Sequence, residues 1–373
     1  MRIERVELFP LSYPFAGNWK FLEASAGHRV ILVKVMADEG TVGWGQSLPV
    51  PKWSYETLET AYVVLRKYFA PAVLGQDPLD LENLQRALDG ALAPGFSTGM
   101  PLARAGLEIA LWDLAGRLTN QSLAELWGRP RGGPITLSWT VTARSLDEAE
   151  AEIAAAQTRG YRNFNLKVGS SPAFDVALAA HVRRLAPGSF LWADANGGYD
   201  VATALEVATK LADTGVDVLE APLRPNRISG YQALKRQAAL PITMDEGLIS
   251  PVEVEEFIRL GMIDGVTIKP SRAGGLASAR RQIEIALDAG LFFLGSGLTD
   301  PDIALAASLA LFGSYGLARP AALNGPQFLT ADILAEPLRI SGDIANVPSG
   351  PGLGIQVDET KLQRLLTTIT FDQ

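Results

Sequence analysis

The 373-residue chain contains no cysteine and only two histidines. Disulfides, zinc ribbons, cysteine-ligated iron–sulfur clusters and thiol nucleophiles are therefore excluded, as is a three-histidine metal site. Runs of Lys or Arg are also missing: 33 basic against 41 acidic residues give a net charge of −8. A nucleic-acid partner is not expected, because such binders concentrate basic residues on one face. No apolar run is long enough to span a bilayer; the longest, Ile303 to Gly313, is interrupted by Ser308. The segment Met1-Arg-Ile-Glu-Arg-Val-Glu lacks the apolar core of a signal peptide. A cytoplasmic protein without a membrane partner is expected. The length suits a barrel of roughly 200–250 residues plus a smaller unit.

The opening is strand-rich. Arg29–Val35 is β-branched and apolar, and Asp38-Glu39-Gly40 marks a turn before Val42-Gly43-Trp44-Gly45. Helical spacing follows over Tyr55–Phe69 and Ala103–Leu118, and the Gly/Pro-rich stretch Arg129–Pro134 reads as a boundary. Beyond it, short β-branched runs alternate with helical segments. The runs are Asn163–Val168, Phe190–Asp194, Val216–Glu220, Ile242–Asp245, Gly265–Lys269 and Phe292–Gly295. The helical segments include Ser145–Arg159, Val201–Thr214, Pro251–Leu260 and Ala277–Ala289. Such alternation predicts a parallel sheet with right-handed crossovers.

A polar residue recurs at or beside the C-terminal end of each run. Lys167, Asp194, Glu220, Asp245, Lys269 and Ser296 are spaced by 27, 26, 25, 24 and 27 residues. In a (β/α)8 TIM barrel these positions share one mouth, where catalytic residues collect. A doubly wound sheet would spread them along an edge and usually carries a glycine-rich phosphate turn, absent here. The prediction is thus an α/β chain with a (β/α)8-type barrel. Its first strand is expected at Thr136–Val141 and its eighth at Ala321–Asn324.

Three carboxylates on adjacent strands form a hard, all-oxygen cluster suited to Mg²⁺, with Mn²⁺ as an alternative. For any single acid, helix capping or pairing with Arg is the competing explanation. A lysine partly desolvated beside such a cation has its ammonium disfavoured, so Lys167 and Lys269 are candidate acid/bases on opposite sides of the cluster. A structural salt bridge is the alternative for each.

Asn165-Leu166-Lys167, Asp194-Ala195-Asn196, Glu220-Ala221-Pro222, Asp245-Glu246 and Lys269-Pro270-Ser271-Arg272-Ala273-Gly274-Gly275 together resemble the motif set of the enolase superfamily, muconate-lactonizing-enzyme subgroup. Trp112–Gly116 and Pro351–Gly354 are similar to further segments of that family. The resemblance implies an α+β capping domain (residues 1–130), a modified barrel (131–339) and a tail (340–373) that returns to the capping domain. It implies Asp194, Glu220 and Asp245 as metal ligands and Lys167 and Lys269 as the acid/base pair. The lack of histidine after His181 sets aside the mandelate-racemase-like subgroup. A small-molecule carboxylate is the implied substrate, and a homo-oligomer fits the resemblance.

Departures accompany it. The subgroup usually carries Lys-x-Lys where this chain has Asn165 and Lys167, and often glutamate at Thr299. The dipeptide epimerases carry Asp-x-Asp where Leu323–Gln327 stands. Candidate substrate contacts are Asn165, Trp19, Trp53, Ser296, Thr299, Asp300 and Asn324. Asp300 and Asp302 are possible seats for a cationic group, with helix capping by Asp300 as the alternative. His28 is expected at the substrate or in a loop, and His181 on a helix surface. The expected reaction is racemisation or epimerisation of an amino-acid derivative through an enolate. A cycloisomerase or a dehydratase of the o-succinylbenzoate-synthase kind is the alternative, and a non-catalytic binding barrel is the reading of another class.

Overall fold

The structure is a computed structural model and describes residues 1–17, 21, 22, 26–95 and 97–369. Strands β1 (Ile3–Tyr13), β2 (His28–Ala37) and β3 (Val42–Ser47) form an antiparallel meander in that order. The run in β2 is apolar on both faces because both faces are covered. Ile31, Val33 and Val35 pack toward Leu107, Leu111 and Leu114, whereas Val30 and Leu32 join the main core. The helix Pro101–Thr119 lies directly on β3 at two glycines. A Cβ at Gly43 would stand 2.2 Å from the Ala110 carbonyl oxygen, and one at Gly45 2.1 Å from that of Gly106. Only glycine permits that approach.

Asp113 of this helix ties three segments together. Its carboxylate accepts from the Trp44 N–H (2.9 Å), the Leu353 N–H (2.8 Å) and Arg117 Nε (2.9 Å). The tail thereby returns to the first unit, and Leu366 adds a bridge to Leu11.

After β4 (Ile135–Thr136) comes a parallel sheet. Its strands are β5 (Trp139–Val141), β6 (Phe164–Lys167), β7 (Leu191–Asp194), β8 (Val218–Glu220), β9 (Ile242–Met244), β10 (Gly265–Ile268) and β11 (Phe292–Gly295). They are hydrogen-bonded in sequential order. Helices intervene as expected, including Leu146–Thr158, Val201–Asp213, Pro251–Arg259 and Leu276–Asp288. Several begin on short polar caps: Ser145 accepts from the Glu148 N–H and Asp200 from the Thr203 N–H. Trp192, Val218, Leu294 and Ala322 form a separate cluster within the curled sheet.

Four expectations need correction. The run expected over Thr136–Val141 is split: β4 leaves the parallel sheet to pair with β13 (Ile344–Ala345), itself paired with β12 (Ile340–Ser341). Ala321–Asn324 is not a full strand. Ala321 and Ala322 make single parallel bridges to Leu137 and Ser296. Where a longer strand would continue, the Gln327 side chain accepts from the Thr140 N–H (3.0 Å) and donates to the Thr140 carbonyl (2.8 Å). The helix expected from Tyr55 starts at Leu58, capped by Thr57, and widens to π geometry over Leu65–Phe69. His181 is 8% exposed rather than on the surface, with Arg184 2.6 Å from its Nδ1. Among the described residues no helix is long and apolar enough to cross a membrane.

Candidate active site

The six polar residues read from the sequence stand together at the C-terminal ends of the parallel strands. Lys167, Asp194 and Glu220 are the last residues of β6, β7 and β8 and lie in register on adjacent strands. Asp245, Lys269 and Ser296 each follow by one residue β9, β10 and β11. The lysines flank the acids. Lys167 Nζ donates to Asp194 Oδ2 at 2.5 Å, and Lys269 Nζ donates to Asp245 Oδ2 at 2.6 Å. Arg272 donates to the other Asp245 oxygen and to the Asp245 and Thr267 carbonyls. The backbone turns sharply behind the acids: Asn196 has φ 46° and Ala221 φ 41°. Non-glycine residues hold this left-handed conformation only where the surroundings impose it.

Glu220 is the unsatisfied member. It is 1% exposed, and neither carboxylate oxygen has a hydrogen-bond partner. Burial, with Asp194 and Asp245 beside it, pushes its carboxyl well above the usual range. Burial also raises Asp245, but the Lys269 and Arg272 charges outweigh it and hold that carboxyl below its ordinary value. Glu246, whose Oε1 accepts from Asn196 at 3.1 Å, is pushed up to about 7 by burial and by Asp245. A lowered Lys269 is the expectation for a lysine beside a bound cation. Burial does pull it down, but Asp245 and Glu220 more than reverse that and stabilise the ammonium.

Among the described residues no three His, Cys, Asp or Glu side chains stand as a ready metal cage. The reason is visible in the pairing: Asp194 and Asp245 each face a lysine. The donor set nevertheless fits a hard cation. A buried carboxylate with two partnerless oxygens, between two further acids on neighbouring strands, is an oxygen-ligand environment that lacks only positive charge.

Beside this cluster lies a narrow cavity of about 20 Å³, room for one water molecule. Lys167 and Lys269 line it with five of the expected contacts: Asn165, Trp53, Ser296, Thr299 and Asn324. The Trp53 ring covers Lys269, with Nζ 4.6 Å from the ring centroid. Phe21, Leu22 and Val50 complete the side contributed by the first unit. Trp19 lies outside the described residues. Asp300 is a correction: it does not line the cavity. Its oxygens accept from the Leu298 N–H (2.7 Å) and the Ser308 hydroxyl (2.9 Å), so it braces the loop after β11 and is no seat for a ligand. Asp302 likewise accepts from the Ile333 N–H. His28 is buried and does not line the cavity, and burial pulls it down to about 4.

Two family models match the chain. "Mandelate racemase / muconate lactonizing enzyme, N-terminal domain" covers residues 21–128, and "Enolase C-terminal domain-like" covers residues 148–361. The chain belongs to the enolase superfamily, in its muconate-lactonizing branch. It is an isomerase-type enzyme, which removes the binding-barrel alternative. Muconate cycloisomerase 1-2 of Acinetobacter lwoffii is 30% identical over 375 residues, spanning 98% of this chain and 95% of the relative. N-succinyl-L-Arg/Lys racemase of Bacillus cereus is 26% identical over 368 residues, 98% of each. Among solved structures, 2-chloromuconate cycloisomerase from Rhodococcus opacus 1CP superposes with a TM-score of 0.92 at 27% identity, covering 99% of this chain and all of that one.

Sequence reasoning left Asn196, Glu246 and Arg272 of this superfamily member without roles, although each adjoins a singled-out residue in its motif. Glu56 gave no signal. It is fully buried and caps the helix Pro101–Thr119, accepting from the Leu102 (2.7 Å) and Ala103 (2.8 Å) N–H groups. It thereby anchors the loop that carries Trp53. Burial lifts its carboxyl from 4.5 to about 7 despite those two donors. The folded state therefore retains a proton that the unfolded chain releases between pH 4.5 and 7, and stability falls as pH rises through that window. The glutamine variant cannot titrate. From pH 5 to 8 the wild type is expected to lose about 3 kcal/mol more than Glu56→Gln, read as urea-unfolding free energy. Parallel pH profiles would show that the folded-state carboxyl is not raised.

Proposed function

We propose that this enzyme abstracts the α-proton of a carboxylate substrate and returns one through an enolate, most economically as a racemase or epimerase of an amino-acid derivative. The observation that carries this reading is the placement of Lys167 and Lys269 on either flank of Asp194, Glu220 and Asp245, all at one mouth. The reading takes residues 131–339 as a closed (β/α)8 barrel, supported by the Ala321 and Ala322 bridges. Residues 1–130 then form its capping domain, to which the tail 340–373 returns.

Asp194, Glu220 and Asp245 would hold Mg²⁺ or Mn²⁺, which supplies Lewis-acid stabilisation of the negative charge developing on the substrate carboxylate. The chain's own residues do the rest. A cation at the acids would compete with the lysines for the Asp194 and Asp245 carboxylates. For buried Lys269, whose ammonium Asp245 and Glu220 stabilise against the downward pull of burial, weaker pairing would favour the neutral amine that accepts a proton. The Trp53 ring and the apolar roof keep bulk water from the enolate. One lysine takes the proton from its side of the α-carbon; the other delivers a proton to the opposite side.

The likeness to the Acinetobacter lwoffii cycloisomerase favours a second reading, in which one lysine transfers the proton and the other only stabilises charge. Proton NMR in D₂O with Mg²⁺ separates the two. A racemase exchanges the α-hydrogen of both enantiomers of one compound and loses this on chelation. Exchange in one hand only, with an alkene or lactone appearing, identifies the cycloisomerase or dehydratase.

A further inference from the structure

The loop that carries Lys269 leads into a helix that has no cap of its own. Between β10 and the helix Leu276–Asp288 the chain runs Lys269-Pro270-Ser271-Arg272-Ala273-Gly274-Gly275. The cap position falls on Gly275, which has no side chain to offer the first N–H groups. The first unit supplies the cap instead. Glu108, on the helix Pro101–Thr119, accepts from the Leu276 N–H through Oε2 (2.6 Å) and from the Ala277 N–H through Oε1 (2.9 Å). The contact leaves no slack: a Cβ at Gly275, whose φ is 118°, would stand 2.1 Å from Glu108 Oε2. Elsewhere in the parallel unit the cap is local, as with Ser145 and Asp200.

The Glu108 carboxylate is held from behind as well. Trp112 Nε1 (2.7 Å) and Gln85 Nε2 (3.1 Å) donate to Oε1, and Gln85 Oε1 in turn accepts from Arg104 (2.7 Å). Glu108 is fully buried. Burying a carboxylate is costly where a serine at the cap position would satisfy the same N–H groups. A local serine, however, could not fix the start of the helix against the first unit.

The far side of the loop passes that position to Lys269. The Lys269 carbonyl accepts from the Arg272 and Ala273 N–H groups, both at 3.0 Å, and the Pro270 carbonyl accepts from the Gly275 N–H at 3.1 Å. The segment is thus one hydrogen-bonded turn, in which a shift of Gly275 displaces the Lys269 backbone. Lys269 is buried between Asp245 and the Trp53 ring, so its side chain has little room to compensate. The loop after Lys167 is braced within the parallel unit: Asp175 accepts from the Gly169 N–H (2.9 Å) and the Tyr199 hydroxyl (2.7 Å).

We propose that Glu108 is a positioning residue for one of the two acid/bases: through the start of the helix Leu276–Asp288 it sets where Lys269 stands, without acting on Lys167. This rests on the reading of Lys269 as an acid/base.

The test has two arms, both on the full-length protein. In the first, without substrate, lysine is labelled with ¹³C at Cε, and the Lys167 and Lys269 signals are assigned from Lys167→Arg and Lys269→Arg. Glu108→Gln keeps one acceptor oxygen but turns an amide toward the other N–H. It should move the Lys269 signal and leave Lys167 in place, and Glu108→Ala should move it further. Ser145→Ala, which removes a cap from the helix Leu146–Thr158, should move neither. In the second arm, α-hydrogen exchange is followed in D₂O with Mg²⁺ and both enantiomers of N-acetylphenylalanine and N-succinylphenylalanine. The hand that stops exchanging in Lys269→Ala should slow by about 10²-fold in Glu108→Ala, with the other hand at its wild-type rate and Glu108→Gln in between. Movement of both lysine signals alike, or of neither, overturns the proposal, as does equal slowing of both hands. If Glu108→Ala does not fold, Glu108→Gln decides on the same criteria. Wild-type protein that exchanges none of these compounds counts against the α-proton reading, and the lysine signals then decide the positioning role by themselves.

Discussion

Lys269→Ala is expected to stop interconversion of enantiomers while leaving α-hydrogen exchange intact for one hand of the substrate. Lys167→Ala should leave the other hand exchanging. The reason is positional. Lys167 closes β6 and Lys269 follows β10, with the ends of β7, β8 and β9 between them, so the two ammoniums approach a bound α-carbon from different sides. Racemisation needs both, one to remove a proton and one to return it. Exchange with solvent needs only the lysine that removes it. Loss of a positioned acid/base group reduces turnover by about 10²–10⁴-fold. The two variants should therefore share that deficit in racemisation yet differ in which enantiomer takes up deuterium. Neither lysine is needed for the fold at large: their aspartate partners keep other donors, Arg272 on Asp245 and Asn196 on Asp194. A wild-type racemisation rate in either single variant would refute the two-base mechanism. Exchange lost for both hands in one variant and kept for one hand in the other would identify the lysine removed in the first as the single working base, which is the cycloisomerase arrangement.

What the sequence conveyed about this site follows from the physics of parallel sheets. Strands covered on both faces read as continuous apolar runs, and the residue that ends each run must face the mouth. That logic placed Lys167, Asp194, Glu220, Asp245, Lys269 and Ser296 correctly, because every determinant is local to one strand–helix unit. It failed where the partner is distant in sequence. The run Thr136–Val141 gave no sign that its first two residues pair with Ile344 and Ala345. Nothing local told that Gln327 would satisfy Thr140 in place of a strand. Asp300 looked like a ligand seat because an acid after β11 is polar and near the mouth; the Ser308 hydroxyl, within the helix that follows, turns it inward. The state of Lys269 likewise depends on groups brought in from other strands. Spacing shows that acids and lysines converge, but not that Asp245 and Glu220 overcome burial when no cation offsets their charge. Glu56 was invisible because its partners are backbone N–H groups of a helix more than forty residues away.

Glu220→Gln offers the sharpest check on the acid cluster, because its two expected effects have opposite signs. In wild-type protein without a cation, the Glu220 carboxyl is buried with both oxygens partnerless, and burial together with Asp194 and Asp245 raises it strongly. Glutamine keeps the shape and removes the charge that Asp194 and Asp245 repel. In the absence of a divalent cation the variant is therefore expected to be at least as stable as the wild type near pH 7. Added Mn²⁺ should reverse the ranking. A cation that binds only the folded state stabilises it by about 2.7 kcal/mol at one hundred times its dissociation constant. The wild type should gain on that order, whereas the variant, having lost the ligand between the two aspartates, should gain little. Urea unfolding with and without Mn²⁺ measures both effects without reference to catalysis, and equilibrium dialysis measures the affinity directly. Equal Mn²⁺ affinity in the two proteins would remove Glu220 from the ligand set. A variant much less stable than wild type in the cation-free state would instead mean that the glutamate is held by interactions which glutamine cannot reproduce. The expected pair of results ties the most strained carboxylate of the mouth to the charge that relieves it.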